Sequence, residues 1–462
     1  MTEFSPEELE TCLRVLQRVA DDPGLIQEHE RFKSLVAKIH KGGKKGQRRA
    51  AQSERRAEDR ALSEQTALVQ RQSGAAAPAL PEQAGRAVLG ELRSPRDCYI
   101  CKQPYTRLHV FYHQLCPDCA ALNYQKRQQR ADLSGRTALL TGGRVKIGYQ
   151  TALRLLRDGA RVILTTRFPR DAARRFANEP DCAAWRERLV IYGLDLRHIP
   201  AVEQFAALLL EREPALDILI NNAAQTIKRP LDFYRHLLAG EQAPPEHLPE
   251  EQRALLAPGA PGGPALLERL PGYRGHLPGT AAYFPPEVFD LDGQQVDLRP
   301  DNSWVQRLDQ VGTVELLEVH LVNAVAPFIL CARLKPLLLR SPFPRRFIVN
   351  VSAMEGQFAR ENKTANHPHT NMAKAALNML TRTSGADYAE DGIFMNSVDT
   401  GWITDENPFP QRATAQEQRG FYPPLDLVDG MARIYDPIVQ GVSRPEPPPF
   451  GLFLKDYAPY PW

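Results

Sequence analysis

The chain has 462 residues, a formal net charge of +3, 43% hydrophobic residues and 24% charged residues. That length is enough for roughly two to four domains, and the composition is ordinary for a globular protein. The small net charge gives no reason to expect nucleic acid binding by the whole chain. Seven cysteines, with no recognisable signal-peptide core and no apolar run of membrane-spanning length, predict a soluble cytoplasmic protein without membrane contact.

The first 95 residues are predicted to form a basic helical arm followed by a linker. Ser5 and Glu8 have the pattern of a capped helix start. Residues 31–60 contain eleven Lys or Arg against three Asp or Glu, with three glycines breaking the run. Such an arm could contact nucleic acid or an acidic partner, but few aromatic residues are present for base stacking, so we favour a solvated extension. Residues 73–95 are rich in Ala, Gly and Pro, which is typical of a linker.

A compact cysteine pattern follows at residues 96–131. Two CxxC pairs are separated by fourteen residues, and this spacing lets four thiolates bind one tetrahedral Zn²⁺. The ion would replace a hydrophobic core that so short a segment cannot build, and its closed shell leaves no position for substrate. Redox dithiols or a chance pattern are the weaker alternatives, and we expect His109 and His113 to be packing or surface residues. The predicted ligands of this structural zinc are Cys98, Cys101, Cys116 and Cys119.

Residues 139–167 have the pattern of a strand, a glycine-containing turn, a helix and a second strand. The first apolar run ends at Thr141 and Gly142, and Gly148 opens a helix whose apolar residues recur at near-helical spacing. A glycine turn at the N-terminus of a crossover helix offers backbone N–H groups and a positive helix dipole to a pyrophosphate. The stretch therefore predicts a nucleotide site.

Basic residues around this turn favour NADP(H) over NAD(H). In such units an acidic residue after the second strand binds the adenosine ribose, whereas a neutral residue followed by Arg accommodates a 2′-phosphate. The chain has Thr165, Thr166 and Arg167 at this place, and the turn itself carries Arg144 and Lys146. The alternative is that three solvated surface cations surround an ordinary α/β unit.

From about residue 132 onward, several motifs occur in the order found in one known family. They are TGGRVKIG at 141–148, Asp195 after the third strand, NNAA at 221–224, HLVNAVAPF around Asn323, IVNVSAMEG around Ser352, TNMAKAALNML around Lys374 and NSVDTGWIT at 396–404. This part of the chain resembles the short-chain dehydrogenase/reductase family. The resemblance implies a doubly wound, Rossmann-like parallel α/β domain over residues 132–462, preceded by the zinc module and the helical arm. It also makes a homodimer or homotetramer a reasonable expectation.

The resemblance assigns roles to individual residues as well. It implies that Asn323, Ser352 and Lys374 belong to a catalytic site for a carbonyl or alcohol substrate, with hydride carried by NADP(H). Lys374 would also hold the nicotinamide ribose, and Thr404 would meet the nicotinamide carboxamide. The residues expected to contact the cofactor are Thr141, Gly142, Arg144, Lys146, Ile147, Gly148, Arg167, Asp195, Leu196, Asn222, Ala223, Lys374 and Thr404.

The chain departs from the family pattern at two important positions. Lys146 replaces the usual middle glycine, which resembles the pteridine reductases that use NADPH. Thr370 stands four residues before Lys374, where the family has its catalytic tyrosine, and a threonine hydroxyl is far too weak an acid to protonate an alkoxide. His367 or His369 could supply the proton instead, because imidazole titrates near neutrality. If neither does, the protein is a cofactor-binding scaffold or sensor that engages partners through the zinc module or an insertion.

That insertion is rich in proline and occupies roughly residues 227–310. Ligands in this fold bind outside the carboxyl ends of the strands. An insertion after the fourth strand therefore predicts a lid over the substrate pocket or a platform for a protein partner. Aromatic residues within it argue against the alternative of a disordered spacer. They are Tyr273, Tyr283, Phe284, Phe289 and Trp304.

Overall fold

The computed structural model describes residues 4–27, 29–76, 78–81, 83–257, 280–360 and 362–462. Its N-terminal arm consists of helices α1 (Pro6–Asp21), α2 (Glu30–Glu64) and α3 (Ala67–Gln72). Helix α1 begins with the predicted capping box, in which Ser5 Oγ accepts a hydrogen bond from the Glu8 backbone N–H. Helix α2 continues through the three glycines that interrupt its basic sequence. Each glycine costs only about 1 kcal/mol of helix propensity, and the flanking Lys, Arg and Gln residues favour helix.

A two-stranded hairpin and one helix form the cysteine module: β1 (Val88–Asp97), β2 (Pro104–His109) and α4 (Pro117–Gln128). Strand β1 begins inside the segment predicted to be a linker. It forms there because its backbone pairs antiparallel with β2, from Val88 opposite His109 to Asp97 opposite Pro104. Gly90 also allows the strand to approach the side chain of Leu62 on α2. The helical arm and the cysteine module are therefore packed together.

Eight strands form the central sheet, in the order β10-β9-β8-β7-β6-β3-β4-β5. They are β3 (Thr137–Thr141), β4 (Arg161–Thr166), β5 (Leu189–Gly193), β6 (Ile218–Asn221), β7 (Arg346–Ser352), β8 (Ile393–Asp399), β9 (Phe453–Lys455) and β10 (Ala458–Tyr460). Neighbouring strands are parallel except β9 and β10. The strands are nearly continuous apolar runs, as expected where helices cover both faces.

Helices pack on both faces of this sheet. One face carries α5 (Lys146–Arg157), α6 (Pro169–Ala177) and α14 (Leu427–Ser443). The other carries α7 (Ile199–Arg212), α11 (Ala326–Leu339) and α12 (Pro368–Glu390). The remaining helices are α8 (Arg235–Gln242), α9 (Glu250–Arg253), α10 (Thr313–His320) and α13 (Phe409–Arg419). The predicted doubly wound, Rossmann-like sheet is confirmed, and its strand order reverses between β3 and β6, where ligands of such sheets bind.

The described part of the insertion packs against the nucleotide domain. Helix α8 and the turn Leu231–Tyr234 that precedes it contribute to a buried, mainly aromatic cluster. That cluster consists of Phe168, Phe233, Tyr234, Leu237 and Phe284. Farther along, the Ile191 N–H of β5 donates to the Leu255 carbonyl at 2.8 Å. A disordered spacer is therefore wrong for these residues, whereas Tyr273 lies outside the described residues.

Helix α10, a π turn at Leu321–Val325 and helix α11 form one continuous apolar helix. Among the described residues it is the one helix long and apolar enough to cross a membrane, by length and composition alone. The expectation that no apolar run reaches this length is therefore wrong. Within the fold, Leu330, Leu334 and Leu337 of this helix are fully buried in the core beneath the sheet.

Helix α12 carries Thr370 and Lys374, and at Gly385 it packs closely against Gly451, which precedes β9. A substitution at Gly385 tests this packing. A Cβ atom on Gly385 would lie 2.5 Å from the Gly451 Cα atom. We expect Gly385→Ala to lower the free energy of unfolding by about 1–3 kcal/mol, because neither backbone can move without disturbing the core. The midpoint of urea unfolding, followed by circular dichroism, measures this change.

Gly43→Ala is the matched control, because a Cβ atom at that helical position meets nothing within 4 Å. It should leave the unfolding midpoint unchanged or raise it slightly. Equal midpoints for wild type and Gly385→Ala would show that the contact between α12 and Gly451 is not close-packed.

Candidate active site

The carboxyl ends of β3 and β6 are joined by hydrogen bonds. Thr141 Oγ1 accepts from the backbone N–H groups of Asn222 and Ala223, both at 3.0 Å. The Asn222 side-chain amide donates to the carbonyls of Thr141 and Gly142, also at 3.0 Å. A Cβ on Gly148 would lie 2.2 Å from the Gly142 carbonyl oxygen. Only glycine therefore fits at the start of α5, which aims its N-terminus at the space beside this junction.

A cleft of about 2210 Å³ opens at this edge of the sheet. Ligand pockets are commonly about 300–1,000 Å³, so the cleft can accept a dinucleotide together with a second molecule. Most predicted site residues line it, whereas Thr141, Asn323 and His369 do not. The predicted residues that line it are Gly142, Arg144, Lys146, Ile147, Gly148, Arg167, Asp195, Leu196, Asn222, Ala223, Ser352, His367, Thr370, Lys374 and Thr404.

Two of the three cations predicted to bind phosphate have carboxylate neighbours within the protein. Arg144 is buried and donates to Asp171 Oδ2 at 2.7 Å. Lys146 Nζ lies 3.9 Å from Glu406 Oε1. Lys146 also has a φ of 55°, in the left-handed region that favours glycine. This backbone explains why the related family has glycine there, and it indicates that the lysine side chain is held at some conformational cost.

The third predicted cation, Arg167, contacts a residue of the insertion. Its Nη2 donates to the Tyr234 hydroxyl at 2.8 Å, and its guanidinium lies 4.9 Å from the centre of the Tyr234 ring. Burial alone would raise the pKa of the Tyr234 hydroxyl, but the positive charges of Arg167, Arg229 and Arg144 hold it below its ordinary value. Tyr234 was not among the residues predicted for this site. This end of the cleft therefore has a positive potential that suits an anion.

Asp195 and Asn323 bind other protein groups and thereby stabilise the structure beside the cleft. The Arg197 guanidinium donates to Asp195 Oδ2 at 2.5 Å, and both side chains are buried. Asn323 lies in the π turn, where its Oδ1 accepts from the Gln225 N–H at 2.7 Å and its Nδ2 donates to the Gln225 carbonyl at 3.1 Å. Asn323 thereby fixes the chain that leaves β6 for the insertion.

Ser352 and Lys374 meet where β7 ends beside α12. The Ser352 hydroxyl donates to Asn378 Oδ1 at 2.5 Å, and Lys374 Nζ donates to the Val351 carbonyl at 2.7 Å. Burial lowers the pKa of Lys374 to about 8. Asn378 was not predicted, although its position one helical turn after Lys374 could have indicated that both face the same strand.

The two candidate proton donors face different surroundings. His367 lines the cleft, its Nδ1 lies 2.7 Å from the Trp304 carbonyl, and its ring stacks on Trp304 with centroids 3.9 Å apart. His369 is buried away from the cleft, with Nε2 3.5 Å from Glu315 Oε1. The Thr370 hydroxyl is buried and has no hydrogen-bond partner among the described residues. The geometry therefore favours His367 over His369.

A buried carboxyl group that the sequence reasoning missed also lines the cleft. Asp399 ends β8 directly opposite Ser352 in the register of β7 and β8. Its Oδ1 accepts from the Met354 N–H at 3.3 Å. Burial raises the pKa of Asp399 to about 6. The signal was present, since Asp399 stands within the NSVDTGWIT motif.

The four cysteine sulfur atoms come together as the spacing predicts. Their Sγ atoms all lie within 4.8 Å of one another. His109 Nδ1 instead accepts from the Phe111 N–H at 3.0 Å, and His113 Nε2 lies 3.2 Å from the Tyr422 carbonyl. Four converging sulfur atoms are a donor set that suits Zn²⁺. These residues are, as predicted, Cys98, Cys101, Cys116 and Cys119.

The buried Lys374 should make stability depend on pH in a defined direction. Its pKa is about 8 in the folded protein against an ordinary value of 10.5. The unfolded chain therefore binds more protons between these values, so the contribution of Lys374 to stability rises with pH from about 8 to 10.5 and is lowest below pH 8. We expect Lys374→Met to unfold at a higher urea concentration than wild type at pH 7 and to lack this rise.

Urea midpoints at pH 7 and pH 9.5 test this expectation, with the exposed Lys33→Met as the control. Other groups also titrate in this range, so the difference between variant and wild type is the relevant quantity. A variant that is destabilised equally at both pH values would show that the contact with the Val351 carbonyl outweighs the cost of charge burial.

Comparisons with known proteins agree with this architecture. Residues 136–236 match the short chain dehydrogenase family profile, and residues 305–418 match the profile described as enoyl-(acyl carrier protein) reductase. An uncharacterized protein of Acanthamoeba polyphaga mimivirus is 33% identical over 364 residues, covering 75% of this chain and 72% of that protein. The dehydrogenase/reductase SDR family member 13 of Bos taurus is 38% identical over 115 residues, covering 25% of this chain and 28% of that relative.

Solved structures are similar to about 70% of this chain. The NADPH-bound carbonyl reductase from chicken fatty liver has a TM-score of 0.44 and 19% identity, covering 71% of this chain and 100% of that one. A short-chain dehydrogenase from Streptomyces avermitilis has a TM-score of 0.43 and 18% identity, covering 70% of this chain and 89% of that one. With its two profile matches and its doubly wound sheet, the chain belongs to the short-chain dehydrogenase/reductase family.

Proposed function

We propose that the protein is an NADP(H)-dependent oxidoreductase that interconverts a carbonyl compound and an alcohol. The observation that carries this proposal is that the glycine turn, Arg167, Ser352 and Lys374 line one continuous cleft. A dinucleotide that spans this cleft would have its adenosine phosphates near Arg167 and its nicotinamide near Lys374. The cofactor would supply the hydride for reduction or accept it in oxidation.

The adenosine end supports NADP(H) rather than NAD(H). Strand β4 ends in Thr165 and Thr166, so no carboxylate stands where one would bind a ribose 2′-hydroxyl and repel a 2′-phosphate. Arg167 and the Tyr234 hydroxyl would both contact that phosphate. The same arginine charges that lower the pKa of Tyr234 would favour a negatively charged phosphate in this pocket.

At the other end, the chain's own residues would bind and orient the substrate. The Ser352 hydroxyl can turn from Asn378 to donate to a substrate oxygen. Lys374 Nζ would hold the nicotinamide ribose, because it is buried beside the end of β7. The large cleft leaves room for a substrate beyond a small aldehyde or ketone.

We propose that His367 donates the proton in carbonyl reduction. Its Nδ1 proton is directed at the Trp304 carbonyl, which leaves Nε2 as the nitrogen that can exchange a proton with the substrate. The imidazolium would pass its proton to the substrate oxygen as hydride reaches the carbon, and the neutral ring would recover a proton from water. Burial lowers the pKa of His367, so this acid form is most abundant in mildly acidic solution.

One observation supports a second candidate function. The hydroxyl of Thr370 stands where the family has its phenol, and it makes no hydrogen bond to the described residues. Because a threonine hydroxyl is too weak an acid to replace that phenol, the substitution favours the alternative of a cofactor-binding scaffold or sensor without turnover. The four cysteines are proposed to hold one structural Zn²⁺ under either function.

Cofactor selectivity is the first test of the oxidoreductase proposal. We expect Arg167→Leu to weaken NADPH binding roughly 10-fold to 100-fold, since a hydrogen-bonded ion pair with phosphate is lost, while NADH binding changes little. Tyr234→Phe should weaken NADPH binding about fivefold. Dissociation constants can be measured from cofactor fluorescence.

Arg333→Leu is the control, because this exposed arginine of α11 pairs with Glu203 of α7, and it does not line the cleft. It should leave both constants unchanged. Equal losses for NADPH and NADH in Arg167→Leu would contradict a role for Arg167 in recognising the 2′-phosphate.

Paired histidine variants test the proton donor. We expect His367→Gln to reduce kcat/KM for NADPH-dependent carbonyl reduction by at least about 100-fold, because the acid is removed. In wild type, kcat/KM should decline as pH rises through a value below 6.5, and this decline should vanish in the variant. NADPH oxidation with a panel of aliphatic and aromatic aldehydes and ketones provides the measurement.

His369→Gln should retain nearly wild-type kcat/KM, because His369 does not line the cleft. The opposite pattern would refute the assignment to His367. NADPH binding with no turnover of any compound in the panel would favour the scaffold.

A further inference from the structure

We propose that the cysteine module forms a wall of the cofactor cleft, with Tyr99 as a positioning residue, so that Zn²⁺ and NADP(H) strengthen each other's binding. This inference rests on the proposed cofactor site and deepens it. The module thereby acquires a role in affinity for the cofactor, in addition to its own folding.

The first CxxC turn contacts the loop that follows β8. Tyr99, which lies between Cys98 and Cys101, contributes to the cleft wall together with Trp402 and Thr404. The Tyr99 hydroxyl accepts a hydrogen bond from the Trp402 backbone N–H at 2.9 Å. Thr404 is the residue expected to meet the nicotinamide carboxamide. The turn that carries the predicted zinc ligands Cys98 and Cys101 is therefore hydrogen-bonded to the loop of Trp402 and Thr404, which we call the nicotinamide loop.

The backbone of the nicotinamide loop passes close to Tyr99 at Gly401. Gly401 has a φ of 81°, and a Cβ there would lie 2.5 Å from Leu425 and 3.7 Å from the Tyr99 hydroxyl oxygen. The loop thus reaches the module through a left-handed glycine that larger residues would strain. Its position depends on the module staying in place.

A shared hydrophobic cluster connects the module to both ends of the cofactor site. Leu108 and Phe111 of the module pack in one cluster with Ile403 of the nicotinamide loop. Ile147, which follows Lys146 in the glycine turn, packs against the same cluster. The module therefore supports the pyrophosphate turn and the nicotinamide loop at once.

Buried polar contacts fasten the module to the start of α14. The Tyr112 hydroxyl donates to Asp429 Oδ1 at 2.6 Å, and Arg127 bonds Asp426 at 2.5 and 3.0 Å. Arg127 also lies 3.0 Å from Asp429. Since Tyr112, Arg127 and Asp429 are buried, these contacts hold one relative placement of module and domain.

These contacts link the two ligands thermodynamically. The hydrophobic cluster holds the hairpin and the helix of the module, but the metal would be the link that ties the first CxxC turn to the second cysteine pair. Loss of Zn²⁺ would therefore release Tyr99 and loosen the loop that carries Thr404. Linkage is reciprocal, so bound NADPH must raise the affinity for Zn²⁺ by the same factor by which Zn²⁺ raises the affinity for NADPH.

The experiment uses the full chain and measures both affinities. Zn²⁺ affinity is measured at equilibrium against a chromogenic chelator, with and without saturating NADPH. NADPH affinity is measured by cofactor fluorescence, with and without Zn²⁺. We expect each ligand to strengthen the other by the same factor, at least about fivefold. Neither readout depends on turnover.

Variants then locate the coupling. Tyr99→Phe should weaken NADPH binding about fivefold and reduce the coupling factor, because the bond to Trp402 is lost. Tyr105→Phe is the matched control, since the Tyr105 hydroxyl donates within the module to the His113 carbonyl at 3.1 Å and does not line the cleft. It should leave NADPH affinity unchanged.

Three results would overturn the inference. Zn²⁺ affinity that is equal with and without NADPH refutes the coupling, even for a protein that binds NADPH well, and leaves the proposed function standing. Equal NADPH affinity for Tyr99→Phe and wild type refutes the role of Tyr99. Failure of the wild-type protein to bind NADPH at all overturns the proposed cofactor and this inference together.

Discussion

The junction between the carboxyl ends of β3 and β6 is the constraint on which the site depends. Thr141 and Asn222 join the two strands through four hydrogen bonds between side chain and backbone. Because the strand order reverses here, the connections leave toward opposite faces and a cleft must open between them. Gly148 then permits α5 to start against the junction. The pyrophosphate end and the catalytic end are both placed relative to this point.

Two additions to the family domain enclose opposite ends of the cleft. At the proposed adenosine end, Asp171 engages Arg144, which leaves Arg167 and Tyr234 as the proposed partners of a 2′-phosphate. Tyr234 comes from the insertion, which is therefore part of the proposed cofactor site. At the nicotinamide end, Tyr99 comes from the cysteine module and contacts Trp402. The cleft is thus completed at each end by a segment outside the family's shared core.

The sequence predicted those features that depend on neighbours in the chain. The glycine turn and the cysteine pairs are local patterns, and the structure brings their residues together. Features that depend on distant contacts were not predictable in this way. His367 and His369 are two residues apart, yet only the fold shows that the first faces the cleft and the second faces Glu315. The contact between Tyr234 and Arg167 likewise depends on how the insertion packs.

Two unfavourable groups at the catalytic end argue for a site in use. Lys374 is buried, although its charge is disfavoured there, and the Thr370 hydroxyl is buried without a partner among the described residues. Each lowers stability relative to an apolar side chain of similar size. A site retained only for packing gains nothing from them, whereas a bound cofactor and substrate could satisfy both groups. Polar groups whose burial costs stability in the free protein are expected in a binding site, because the ligand provides their partners.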